Sequence, residues 1–144
     1  MDMDFSFWNT DGTLGAMRTR RVDVVAQRLE DLGFPKDPAR CLSEGGTLLH
    51  LDAGSVLCRE GERGTQAFLL LRGEAHVHVD GDTVVATAGA VLGELATLDP
   101  QRLRNATVEA AGPVEVLVYD VATYRSLAGL DDLRSRLAPK RAAA

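Results

Sequence analysis

Basic charge is in short supply in this chain. Its 144 residues carry 16 Lys and Arg against 21 Asp and Glu, a formal net charge of −5. A surface of that sign displaces few counterions from a nucleic-acid backbone, so no DNA binding is expected. Cysteine is scarce as well. The two present, Cys41 and Cys58, match neither a disulfide framework nor a Cys-x-x-Cys metal site, and both read as buried thiols. No run approaches the roughly 18 apolar residues of a membrane-spanning helix. The opening Met1-Asp2-Met3-Asp4 is acidic and lacks the apolar stretch of a secretory signal. These absences lead to the expectation of a cytoplasmic protein with no membrane partner. Internal repeats are lacking too, and the length suits one domain with its own core.

What is present changes period along the chain. Residues 1–17 show no periodicity. Within them Phe5, Phe7 and Trp8 suggest a flexible tail or an aromatic anchor. Residues 18–46 form a helical segment. Val22, Val25, Leu29 and Leu32 make one apolar stripe from Thr19 to Leu32, with Gly33 and Pro35 as stop signals. A second short helix fits Pro38 to Leu42. From 47 to 120 the pattern is that of strands: Thr47–Leu51, Ser55–Cys58, Ala67–Arg72, Ala75–Val79, Thr83–Thr87, Asn105–Ala110 and Val114–Tyr119. These runs are short, rich in β-branched residues and punctuated by Gly, Asp and Pro. Gly81-Asp82 is a hairpin signal. So many short strands predict a sandwich or jelly roll. Residues 121–141 return to helical composition, with Asp120 as N-cap and Leu130, Leu133 and Leu137 as a stripe.

The chemistry concentrates in Gly93-Glu94-Leu95-Ala96, followed ten residues after the glutamate by Arg104-Asn105-Ala106-Thr107-Val108. Gly93 lets the backbone come close to a ligand. Glu94 and Leu95 can open a helical turn whose first N–H groups have no internal partners and favour an anion. Arg104 offers a planar fork matched to phosphate oxygens, and it stays charged at cellular pH. Glu94 can accept from a sugar hydroxyl. The segment therefore carries acceptors for hydroxyls and donors for phosphate. Arg102 is the rival arginine two positions earlier.

This pattern resembles the phosphate-binding cassette of the cyclic nucleotide-binding domain family, in its catabolite-activator-like branch. The resemblance extends to Asp52-Ala53-Gly54, to Arg59-Glu60-Gly61-Glu62-Arg63-Gly64 and to Leu71-Arg72-Gly73-Glu74-Ala75. It implies a mainly β fold, a double-stranded β-helix or jelly-roll barrel with flanking N- and C-terminal helices. It implies a cyclic purine nucleotide, cAMP or else cGMP, held by Gly93, Glu94, Leu95, Ala96, Arg104, Asn105 and Ala106. No other cofactor and no metal are expected.

The expected role is a regulatory sensor, not an enzyme. It would act in trans on an unidentified protein, with a homodimer also open, because no helix-turn-helix or other second domain is legible. An empty cradle is expected to leave Arg104 in water, so that Arg104→Ala hardly changes the unliganded protein. Two rival readings stand beside this one. In the first, the fold has lost its ligand and serves as a protein-interaction module. Thr97 favours it, standing where the family carries a bulky apolar residue. In the second, the chain is a small metal-dependent jelly-roll enzyme. His76 and His78 alternate on one strand face, with His50 or Glu74 as a third ligand.

Overall fold

The structure, a computed structural model, describes residues 13–93 and 101–128, with side chains from 21 onward and as far as 127. Two compact units divide between Glu44 and Gly45. The first holds α1 (Thr13–Asp31) and most of α2 (Lys36–Gly45). The apolar stripe of α1 buries Val25 and Leu29. Its C-terminus closes as the sequence suggests. Gly33 takes φ 102°. Its N–H donates to the Glu30 carbonyl, and the Phe34 N–H reaches the Leu29 carbonyl at 3.0 Å. That double closure is a Schellman motif, and the residue after the glycine, Phe34, is buried as the motif favours. α2 is tied to α1 by Ser43 Oγ, which donates to the Val22 carbonyl at 2.7 Å, and by an ion pair between Arg40 and Asp23. Both helices run longer than the apolar spacing indicates.

The second unit is two four-stranded antiparallel sheets. One has the order β1 (Thr47–Leu51), β8 (Val114–Asp120), β3 (Gln66–Arg72), β6 (Val91–Leu92). The other runs β2 (Val56–Cys58), β7 (Thr107–Ala110), β4 (Ala75–Val79), β5 (Asp82–Ala86). This crossing order is that of a jelly roll. Among the described residues the strand ladders make two sheets, not one closed barrel. The seven expected strands are present, and β6 is an eighth. Its two residues, within Ala90-Val91-Leu92, are too few to show a period of two.

The core lies between the sheets. Phe68 and Leu70 from β3, Val77 from β4, Val108 from β7 and Val116 from β8 meet there. β3 is buried on both faces, from Ala67 to Leu71. Hence it reads as a continuous apolar run and shows no alternation. Its outer face, with that of β8, is where α3 (Val121–Ala128) packs. α3 starts at the expected cap: the Thr123 N–H donates to Asp120 Oδ1 at 2.8 Å. That bond holds the Asp120 carboxyl below its ordinary range. The expected helix over Leu130–Leu137, and the tail with Phe5, Phe7 and Trp8, lie outside the described residues. No helix among the described residues is long and apolar enough to cross a membrane.

Turns complete the fold. The β4–β5 hairpin turns on Asp80-Gly81, one residue before the expected pair. Both residues have positive φ, 53° and 81°, the signature of a two-residue type I′ loop. Gly73, between β3 and β4, has φ 88°, and a Cβ there would sit 2.5 Å from the Pro113 carbonyl oxygen. Gly73→Ala should therefore cost more than Gly81→Ala. At Gly81 no atom lies within 4 Å of an added Cβ, and backbone strain alone applies, about 1–2 kcal/mol. Urea unfolding of the two variants measures the difference. Equal losses would mean that the turn carrying Pro113 gives way freely.

Candidate functional site

The site forms where β3, β6 and the approach to β7 converge. Backbone pairing fixes the approach. The Arg104 N–H donates to the Glu62 carbonyl at 2.8 Å, and the Gly61 N–H donates to the Arg104 carbonyl at 2.9 Å. An isolated bridge joins Arg63 to Leu103. The Glu60 N–H reaches Thr107 Oγ1 at 3.0 Å. Gly61 turns there at φ 86°. The β2–β3 loop thus grips the chain just before β7 and sets where the Arg104 side chain starts.

That side chain points inward. Arg104 is 5 % exposed. Its Nη1 donates to the Gly93 carbonyl at 2.8 Å, and its Nη2 donates to the Gln66 carbonyl at 2.8 Å. Its Cζ lies 5.9 Å from the centre of the Phe68 ring. Among the described residues no carboxylate pairs with it. Two of the five N–H donors of the guanidinium are thus engaged by neutral carbonyls. Gly93 completes the arrangement. It has φ 80°, and a Cβ on it would run into Arg104 Nη1. Glycine is needed at 93 for conformation and for space together.

The expectation of a solvent-exposed Arg104 is therefore corrected. Three partners, two carbonyls and an aromatic face, draw the guanidinium in. Arg102, the rival, is exposed. Ala106 is fully buried, and Cys58 Sγ lies 3.9 Å from its carbonyl oxygen. Burial pushes the Cys58 thiol up, an effect only partly offset by the nearby Arg104 charge. Asn105 is half-buried, and its Oδ1 is buried without a hydrogen-bond partner. An acceptor in that position lacks a donor. Glu94, Leu95 and Ala96, and with them Thr97, lie outside the described residues. So the structure brings Gly93, Arg104, Asn105 and Ala106 together. The motif gave no sign of Gln66 and Phe68. Their part depends on the pairing of β3 with β6, where Phe68 faces Leu92, the residue before Gly93.

His76 and His78 do share a strand, and their rings are 6.1 Å apart. His78 is engaged on both nitrogens, with Thr83 Oγ1 at 2.9 Å and Glu109 Oε1 at 2.8 Å. His50 lies on β1 in the other sheet and pairs with Glu115. No group of three metal-ligating side chains forms among the described residues.

Comparison with known proteins defines the class. Residues 48–129 match the cyclic nucleotide-binding domain, and the chain belongs to that family. It is 39% identical over 79 residues to the cAMP-dependent protein kinase regulatory subunit of Schizosaccharomyces pombe, over 54% of this chain and 19% of the relative. It is 37% identical over 95 residues to the Pycsar effector protein PaPycTIR of Pseudomonas aeruginosa, over 65% of this chain and 30% of the relative. The matches thus span less than a third of either relative's length. The structure of Sp-2Cl-cAMPS bound to PKAR CBD2 superposes with a TM-score of 0.65 at 24% identity, covering 83% of this chain and 82% of the other. A cyclic nucleotide-binding-like protein from Brucella abortus aligns with a TM-score of 0.57 at 28% identity, covering 72% and 96%.

The inward guanidinium generates a prediction for the empty protein. A flexible arginine stays buried only where its contacts outweigh its desolvation; otherwise its head reaches out to water. Arg104→Ala leaves the Gly93 and Gln66 carbonyls without donors. It should destabilise the unliganded fold by about 1–3 kcal/mol, read by urea unfolding. Arg102→Ala should stay within about 0.5 kcal/mol of wild type. An unliganded Arg104→Ala as stable as wild type would mean that the inward contacts contribute nothing net.

Proposed function

We propose that this chain is a regulatory sensor that binds cAMP. Gly93, Glu94, Leu95, Ala96, Arg104, Asn105 and Ala106 form the contact surface. The observation that carries the reading is the Arg104 guanidinium, buried among neutral acceptors. A charge held out of water without a counter-charge is costly, and an arriving phosphate supplies that counter-charge. The kinase regulatory subunit among the relatives and the Sp-2Cl-cAMPS complex among the structural neighbours support cAMP as the ligand. In this reading the domain has no catalytic step of its own. Occupancy is passed to a protein partner in trans, in the cytoplasm.

Nucleotide at 100 times its dissociation constant should stabilise the fold by about 2.7 kcal/mol. That is a rise in Tm of about 5–10 °C. Thermal melts with cAMP and with cGMP measure it. Arg104→Ala should abolish the rise, and Arg102→Ala should keep it. If wild type shows no rise with either nucleotide, the sensor reading falls and a ligand-free interaction module replaces it.

Base choice should involve Asn105. Its buried Oδ1 awaits a donor, and the guanine amine is one that adenine lacks at that position. Asn105→Ala should therefore weaken cGMP relative to cAMP, by about 5- to 30-fold if one buried hydrogen bond of about 1–2 kcal/mol is lost. Calorimetric titration of both nucleotides decides it. An unchanged ratio removes Asn105 from specificity.

A further inference from the structure

We infer that Phe68 is a positioning residue for the ligand-binding arginine, holding the Arg104 guanidinium through the face of its ring. The inference rests on the nucleotide site proposed above. The ring centre is 5.9 Å from Arg104 Cζ, within the distance over which a cation is attracted to an aromatic face. Phe68 is itself 6 % exposed and Arg104 5 %, so little water screens the attraction.

Register makes the contact a property of the fold. Gln66 and Phe68 are two apart on β3. The Gln66 carbonyl accepts a hydrogen bond from Nη2, and the Phe68 ring approaches the same guanidinium. Phe68 also pairs with Leu92 on β6. That pairing delivers the Gly93 carbonyl, one residue on, to Nη1. The two carbonyls fix the guanidinium at its terminal nitrogens, and the ring supplies a diffuse negative surface. None of the three is an anion. A carboxylate in the same place would compete with phosphate for the fork, whereas a ring face aligns the cation and leaves its charge unneutralised. An aliphatic residue at 68 would keep the site apolar but would offer the guanidinium no ring face.

The test separates the ring's electrostatics from its packing. Phenylalanines carrying one, two and three ring fluorines are introduced at 68 in the full chain. They change ring volume little and weaken the negative face step by step. The expected result is a graded loss of cAMP affinity, totalling about two- to thirtyfold, with Phe68→Leu at least as weak. In the unliganded protein, the Arg104 Nε–Hε NMR signal, identified by its disappearance in Arg104→Lys, should lie upfield through the ring current of Phe68. It should move downfield in Phe68→Leu. Equal affinity across the fluorinated series overturns the inference, as does an Arg104 signal unmoved in Phe68→Leu. If wild type binds neither cAMP nor cGMP, the site reading fails by itself. The Arg104 signal still decides whether the ring holds the guanidinium.

Discussion

A guanidinium taken out of water keeps its charge, so the groups around it must accept its hydrogen bonds without neutralising it. Arg104 is in that position, and much of this fold can be understood as the arrangement. The β3–β6 ladder sets Phe68 beside Leu92, so that the carbonyl of Gln66 on β3 and that of Gly93 just past β6 reach the same fork. The β2–β3 loop, through Gly61 and Glu62, holds the Arg104 backbone from the other side. Gly93 is bare because the fork occupies the space a side chain would need. Loss of the Gly93 or the Gln66 carbonyl would take away a partner that holds the guanidinium inward.

The fold was legible in the sequence where burial is one-sided. β4 alternates between buried Ala75 and Val77 and the half-exposed histidines, and its limits match the apolar pattern. α1 ends at Gly33 for a reason visible in the chain, a left-handed residue followed by an apolar one. Legibility failed where a strand is very short, whereas β3, buried on both faces, was found within one residue as a continuous apolar run. Val91–Leu92 is too brief for a period. The β4–β5 turn was misplaced by one residue because an Asp stands on each side of Gly81, and only Asp80 takes the positive φ.

The site was half legible, for a physical reason. Motif residues on one contiguous stretch, Gly93 and Arg104 to Ala106, can be read from side-chain chemistry. Gln66 contributes a backbone carbonyl, which every residue type possesses, so nothing in its identity marks it. Phe68 looks like any core aromatic on a buried strand. The direction of Arg104 is hidden for the same reason: arginines are mostly exposed, and the acceptors that overturn the habit are backbone carbonyls, of Gly93 just past β6 and of Gln66 on β3.

Neutral acceptors give such a site an advantage that a salt bridge would not. If a carboxylate held Arg104, phosphate binding would exchange one ion pair for another and gain little. With carbonyls and a ring, the attraction between guanidinium and phosphate is still unspent when the ligand arrives. At an effective dielectric of 20 and a separation of 4 Å, that attraction is about 4 kcal/mol. It compares with about 8 kcal/mol for the whole binding free energy of a micromolar ligand. The cost falls on the unliganded protein, in which two carbonyls and a ring face, all of them neutral, hold the buried charge. If Arg104 takes the phosphate as proposed, stability is coupled to occupancy, because the anion arrives at a fork already in place. In that reading Arg104 needs no large rearrangement to bind phosphate. Any rearrangement that reports binding must then arise in the elements that contact the rest of the ligand.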